Sequence, residues 1–300
     1  MSASAPERIL QRLDWHVVRR LDGVLQGDYG SLFRGGGLDF ASLREYEFGD
    51  DVRAIDWNVT ARMTTPYVRE YLEDREITAW FLLDLSPSID YGTAADGRDK
   101  RDVLIDFVTT LARLLTRRGN RVGAIVRGGD TAQTIPAGSG RLQVLRIVEE
   151  LLRQPRLERA PFTDLAPLLE AAHRRIKRRS LVVLISDFIG VDGWERPLEL
   201  LNRRHELLAV RVVDPREVEL PDVGPVIMED AETGEHLYVD TGDAGFRSRF
   251  RAAAEARDAR IATALGHARV DAVTLSTDDD LVRAIVRMAM ERRQRRRMPA

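Results

Sequence analysis

Asp84, Ser86 and Ser88 stand at alternate positions directly after the apolar run Trp80-Phe81-Leu82-Leu83. In an extended chain alternate side chains share one side, so the spacing turns all three oxygens the same way at the carboxyl end of a strand. An acid and two hydroxyls suit a hard divalent cation such as Mg²⁺, which takes oxygen ligands and retains several waters. They suit a local role equally well, with Asp84 capping or tethering a loop and the serines making turns through their hydroxyls. Two further groups bear on that choice: Thr163-Asp164 in the loop Pro161–Leu165, and Asp187 just past Leu181-Val182-Val183-Leu184-Ile185.

The runs from Ile77 and from Leu181 read as strands buried on both faces of a parallel sheet, since apolar residues follow one another without alternation. Further strands are expected at 121–127, 206–213 and 270–275, with a short edge strand at 131–135 after the turn Gly128-Gly129-Asp130. Helical spacing of apolar residues covers about 99–118, 142–152, 163–178, 194–204, 244–265 and 280–297. Strands alternating with helices imply an α/β fold with a doubly wound, mostly parallel sheet and one antiparallel edge strand. Ligands bind such sheets beyond the carboxyl ends of the strands, where the strand order reverses. If the strands from Ile77 and Leu181 flank the reversal, then Asp84, Ser86, Ser88, Thr163 and Asp187 converge on one point.

Ahead of the sheet, residues 7–25 carry Leu10, Leu13, Val17, Leu21, Val24 and Leu25 at the spacing of one helix face. Residues 27–76 are richer in glycine and interleaved charge, with Tyr67–Tyr71 alternating as a strand would. Packing of this segment on the main domain through Tyr46, Phe48 and Trp57 is the expectation. The division is thus residues 1–76, an N-terminal helix and loop-rich segment, and residues 77–297, the α/β domain. The latter carries a hairpin insertion near 214–243, whose strands are 225–229 and 236–240.

Composition narrows the function classes. Lys+Arg 46 against Asp+Glu 48 gives a net charge of −2, which does not point to nucleic acid or an acidic membrane surface. The run Arg292–Arg297 reads as a solvated helix end that opposes the helix dipole. Without cysteine, disulfides, thiolate metal sites and cysteine nucleophiles are excluded. No apolar run reaches the ~18 residues of a membrane span, and residues 1–25 lack a signal peptide's apolar core. A cytoplasmic protein without direct membrane insertion is expected. His16, His173, His205, His236 and His267 form no metalloprotease motif, and Gly138-Ser139-Gly140 does not make a nucleophile elbow.

Taken together, Asp84-x-Ser86-x-Ser88, Thr163-Asp164 and Asp187 resemble the metal-ion-dependent adhesion site of von Willebrand factor A-like domains. The resemblance implies that Ser86, Ser88 and Thr163 act as ligands of Mg²⁺ or Mn²⁺, with Asp84 and Asp187 in or just outside the first shell. Mostly neutral ligands would leave the ion a net positive charge and a position for a partner's Asp or Glu. Gly35-x-Gly37-Leu38-Asp39-Phe40, Leu43-Arg44-x-Tyr46, Gly49-Asp50-Asp51-x-Arg53-x-Ile55-Asp56-Trp57 and Ala61-Arg62 are similar to the signature of the bacterial family called domain of unknown function 58. In that signature Arg44, Tyr46, Asp50, Asp51, Arg53, Asp56, Trp57 and Arg62 would bind a partner or hold the segment together.

That resemblance implies a metal-dependent protein–protein interaction module. It would work beside a MoxR-type AAA+ ATPase, remodelling or assembling protein complexes, on a client that offers an acidic residue to the metal. The alternative is a Mg²⁺-dependent hydrolase or phosphoryl-transfer enzyme using the same site. The chain departs from the family at Pro87 and Ile89 inside the first motif, and it lacks the membrane helices that precede the signature in many relatives.

Overall fold

The structure, a computed structural model, describes residues 4–24, 43–47, 50, 52, 55–63, 65–69, 77–94, 96–129, 132–157, 163–230 and 234–297. It divides into two compact units, Met1–Phe33 together with Ile77–Ala300, and Arg34–Glu76. The first unit opens with α1 (Ala5–Leu13), a π-helical turn (Asp14–Val18) and α2 (Arg19–Val24). One uninterrupted helix was the expectation from the spacing. The π turn takes an extra residue per turn, and the adjacent Val17 and Val18 are both buried with Leu10, Leu13 and Leu21. Leu25 lies outside the described residues.

The smaller unit contains β1 (Leu43–Glu45), α3 (Trp57–Thr60) and β2 (Tyr67–Arg69). β1 and β2 pair antiparallel with Arg44 opposite Val68, and Ile55 bridges to Val68 as well. The strand expected at 67–71 is present over its first three residues; Glu70 and Tyr71 lie outside the described residues. Its partner β1 is too short to show alternation and was not anticipated.

The larger unit continues with β3 (Thr78–Asp84), α4 (Lys100–Thr116), β4 (Arg121–Arg127), β5 (Ala132–Gly138), α5 (Gly140–Arg153), α6 (Ala166–Arg175), β6 (Leu181–Ser186), α7 (Glu195–Arg204) and β7 (Glu206–Val213). Then come β8 (Pro225–Glu229), β9 (His236–Asp240), α8 (Ala244–His267), β10 (Asp271–Ser276) and α9 (Leu281–Arg297). Strands β8 and β9 form a separate antiparallel hairpin. The main sheet has the order β10-β7-β6-β3-β4-β5, every pair parallel except β4 with β5. After β3 the chain moves outward on one side to β4 and β5, then returns to build β6, β7 and β10 on the other. The reversal therefore falls between β3 and β6.

Burial explains why β3 and β6 read as unbroken apolar runs. One face packs on α1, α4, α5 and α9 through Phe81, Leu83, Val183 and Ile185. The other packs on α6, α7 and α8 through Leu82, Val182 and Leu184. With both faces covered there is no polar alternation to see. Helix α4 is started by Asp99, whose carboxylate accepts from the Asp102 N–H at 2.8 Å, and Gly119 with φ of +81° ends the turn that follows it. Helix α6 begins later than the periodicity suggests, because the Asp164 carboxylate accepts from the Ala166 N–H at 2.9 Å and starts the helix there. Thr163 is thereby left in the loop. No helix among the described residues is long and apolar enough to cross a membrane.

His205, at the end of α7, is 3% exposed and neither ring nitrogen finds a hydrogen-bond partner among the described residues. Burial, with the positive charges of Arg204, His173 and Arg179 behind it, pushes its pKa down to about 4. Between pH ~6.5 and ~4 the unfolded chain binds the proton that the folded chain refuses, so this histidine's contribution is whole above that window and is lost as pH falls through it. Urea unfolding of wild type and His205→Leu at pH 7.5 and pH 5 should show the wild type losing roughly 1–2 kcal/mol more than the variant. Equal losses would mean that His205 ionises freely in the fold.

Candidate metal centre

Strand β3 ends at Asp84 because the next backbone groups turn away from the ladder: Leu85 still donates to the Arg127 carbonyl at 2.7 Å, and Pro87–Asp90 then form a 3-10 turn. Pro87 heads that turn, where a missing N–H costs nothing, and Ile89 points into the core. Both departures from the family pattern are thus accommodated within the turn. The Ser86 hydroxyl lies 3.1 Å from that of Ser88. Strand alternation is not the cause, contrary to the sequence reading, because Ser88 is already inside the turn. The turn itself folds the second hydroxyl back beside the first.

Leu83 of β3 pairs with Ile185 of β6, so Asp84 and Ser186 follow as the next rung. The Ser186 hydroxyl donates to Asp84 Oδ2 at 2.7 Å, and the Ser86 N–H donates to Oδ1 at 3.0 Å. Ser186 in turn accepts from the Phe188 N–H at 2.9 Å. One residue on, Asp187 accepts from the Ile189 N–H at Oδ1 (2.9 Å) and from the Lys100 ammonium at Oδ2 (2.7 Å). Phe188 is held at φ of +59° between these two anchors, its ring edge-on to Trp194 with centroids 5.2 Å apart.

Thr163 is brought to the same loop. Its carbonyl accepts from the Val191 N–H at 2.9 Å, and a Cβ on Gly190 would lie 2.1 Å from that carbonyl oxygen. Gly190, with φ of +154°, is therefore the residue that lets the α6 loop approach the chain just past Asp187. Asp84, Ser86, Ser88 and Asp187 thus share the carboxyl edge at the reversal, and Thr163 packs against the loop that leaves it.

All five side chains are buried, Asp84 to 4% exposure and Asp187 to 1%. Burial, then the charge of Asp187, raises the Asp84 pKa to about 7 against the lowering by its hydrogen bonds from Ser186 and Ser86. Burial also pulls Lys100 down, but the carboxylates of Asp187 and Glu217 outweigh it and hold the ammonium above the usual lysine range. Two buried carboxylates repelling one another beside a pair of adjacent hydroxyls form an oxygen donor set that fits a divalent ion. No group of three or more His, Asp or Glu side chains among the described residues is spaced to bind a metal. The serine and threonine oxygens would have to complete any such shell.

Sequence reasoning missed Ser186, Lys100, Glu217 and Asp214. Glu217 Oε1 takes a second bond from Lys100 at 2.5 Å, while Oε2 accepts from the Asp214 N–H at 3.0 Å. Asp214 is bound by the Thr93 hydroxyl at 2.6 Å and the Thr277 hydroxyl at 2.8 Å. The available signal was Lys100 itself, a cation in the first turn of a helix, where the dipole disfavours it.

Within the smaller unit, several of the described signature residues hold local turns. The Arg44 guanidinium grips Asp50 with two bonds of 2.7 and 2.6 Å, and that grip with the Glu47 N–H holds the Asp50 carboxyl below its ordinary pKa. Asp56 caps α3 through the Val59 N–H at 3.3 Å, and the Tyr46 N–H donates to the Pro66 carbonyl at 2.8 Å. Arg62 is exposed just beyond that helix, and Trp57 is 69% exposed. Asp51, Arg53 and Phe48 lie outside the described residues.

The profile of the family described as "Protein of unknown function DUF58" matches residues 42–260. The chain is 39% identical over 285 residues to Uncharacterized protein Rv1480 of Mycobacterium tuberculosis, covering 95% of this chain and 89% of that one. It is 41% identical over 160 residues to Uncharacterized protein MAV169 of Mycobacterium avium, which covers 53% of this chain and 94% of that one. Among solved structures it is similar to the conserved hypothetical protein BatB from Bacteroides thetaiotaomicron, at 14% identity and a TM-score of 0.44 over 73% of this chain and 99% of that one. It is also similar to the SpRpn10 VWA domain, at 11% identity and a TM-score of 0.40 over 71% of this chain and 95% of that one. These structural likenesses are remote, and the architecture rests on the strand order. The chain belongs to the DUF58 family and has a doubly wound, mostly parallel α/β fold with one antiparallel edge strand.

Proposed function

We propose that the protein is a divalent-metal-dependent protein–protein interaction module, partnered by a MoxR-type AAA+ ATPase and acting on a client that presents an Asp or Glu. One observation supports the reading: at the sheet reversal the buried carboxylates of Asp84 and Asp187 are close enough to repel one another, and the hydroxyls of Ser86 and Ser88, just past Asp84, lie 3.1 Å apart. A bound Mg²⁺ or Mn²⁺ would supply the positive charge that a partner's carboxylate can ligate. Ser86, Ser88 and Thr163 would hold the ion, with Asp84 and Asp187 neutralising part of its charge. Fixed hydrogen bonds from Ser186 and from the Ser86 and Ile189 N–H groups keep both carboxylates in place. The AAA+ partner follows from the family resemblance.

The hydrolase reading takes its support from Asp84, since a carboxyl with a pKa near 7 suits general base work. Against it, none of the five histidines stands among the site residues, and hydroxyls rather than further acids flank the pair. Retained hydrolysis of a phosphoester by wild type, lost in Asp84→Asn, would favour the enzyme.

In calorimetric titration with Mn²⁺, Ser86→Ala/Ser88→Ala should bind about 10–100-fold more weakly than wild type. Capture of an AAA+ ATPase from lysate should fail both in that variant and in wild type with chelator. Capture that survives both treatments refutes the metal-dependent reading.

Gly190→Ala places a methyl against the Thr163 carbonyl and should cost more than ~1 kcal/mol in stability while weakening Mn²⁺ binding. Gly266→Ala, where an added methyl meets no atom in helix α8, serves as control and should be neutral or stabilising by up to ~1 kcal/mol. If Gly190→Ala binds Mn²⁺ as wild type does, the approach of the Thr163 loop is irrelevant to the ion.

A further inference from the structure

Lys100 is the first residue of α4 and is 0% exposed. Its side chain reaches back from the helix to donate 2.7 Å to Asp187 Oδ2 and 2.5 Å to Glu217 Oε1. A lysine in this place opposes two physical preferences at once: ammonium groups resist burial, and cations are disfavoured at a helix N-terminus. Among the described residues the two carboxylates compensate, with the Tyr91 ring centroid 6.0 Å from the ammonium as a weaker neighbour. Lys100 does not orient them alone, because Asp187 Oδ1 is held by the Ile189 N–H at 2.9 Å and Glu217 Oε2 by the Asp214 N–H at 3.0 Å.

Asp84, Asp187 and Glu217 against Lys100 make three carboxylates and one ammonium, a net of two negative charges when all are ionised. That is the charge one divalent ion neutralises. We propose that Lys100 is a tethered counter-cation of the metal centre, standing one hydrogen bond behind Asp187 and setting how strongly the centre attracts a divalent ion. Glu217, the second acceptor of the ammonium, acts in the opposite sense by absorbing part of the lysine's charge. The inference rests on the metal-dependent reading above. The ammonium repels the incoming ion, and its partial neutralisation of Asp187 leaves the ion with more positive charge to offer a partner's carboxylate. Neither Lys100 nor Glu217 needs to touch the metal for this.

Two variants shift the charge in opposite directions while keeping side-chain size. Lys100→Met removes the ammonium and leaves Asp187 oriented by the Ile189 N–H; in calorimetric titration it should bind Mn²⁺ about tenfold or more tightly than wild type. It should also be less stable without metal, since it strands two buried carboxylates, and should gain more in Tm on adding Mn²⁺. Glu217→Gln keeps one oxygen to accept from Lys100 but removes the charge and gives up the second acceptor, which the Asp214 N–H uses. This variant should bind Mn²⁺ severalfold more weakly and still fold, at a modest loss of stability, so it carries the test if Lys100→Met does not fold. Weaker binding by Lys100→Met would make the lysine a mere positioner of Asp187 and overturn the proposal. Unchanged binding in Glu217→Gln overturns it too, while leaving the metal centre standing. A wild type that takes up no Mn²⁺, like both variants, removes the proposal and the metal-dependent reading together.

Discussion

Everything at the candidate site follows from two carboxylates being buried at neighbouring strand ends. A carboxylate taken out of water is costly unless hydrogen-bonded or paired, and Asp84 and Asp187 burden one another further by their mutual repulsion. The fold answers with directed donors: Ser186 and the Ser86 N–H for Asp84, the Ile189 N–H and Lys100 for Asp187. These donors come from β6, from the turn after β3 and from the start of α4. The carboxylate pair thus ties together the strands that flank the reversal.

Buried ion pairs are weak contributors to stability, because desolvation offsets most of the attraction between the charges. The Lys100–Asp187–Glu217 chain is better understood as a device that fixes local charge and geometry. It also links the site to the loop after β7, where Glu217 and Asp214 share a 3-10 turn, and on to Thr277 beyond β10. Three neighbouring loops of one sheet edge are therefore joined through polar contacts that start at a candidate metal-site residue. The smaller unit is organised differently. Its described charged residues mostly hold its own turns, as Arg44 does with Asp50 and Asp56 with α3, so the signature there has a structural explanation at those positions.

What the sequence determined by itself is whatever depends on local pattern and bulk burial. The apolar runs of β3 and β6, the helix periodicities, the edge strand β5 and the hairpin of β8 and β9 were all legible. From these came the doubly wound topology and the sheet edge that carries Asp84, Ser86, Ser88 and Asp187. Tertiary structure decided what depends on approach between distant segments. Ser88 meets Ser86 because of a 3-10 turn, Thr163 reaches the β6 loop because Gly190 has no side chain, and Lys100 finds Asp187 and Glu217 across 87 and 117 residues of chain. No spacing rule encodes such meetings, because a buried charge is compensated by whichever group the folded chain delivers within hydrogen-bond reach, and that delivery is a property of the packed molecule.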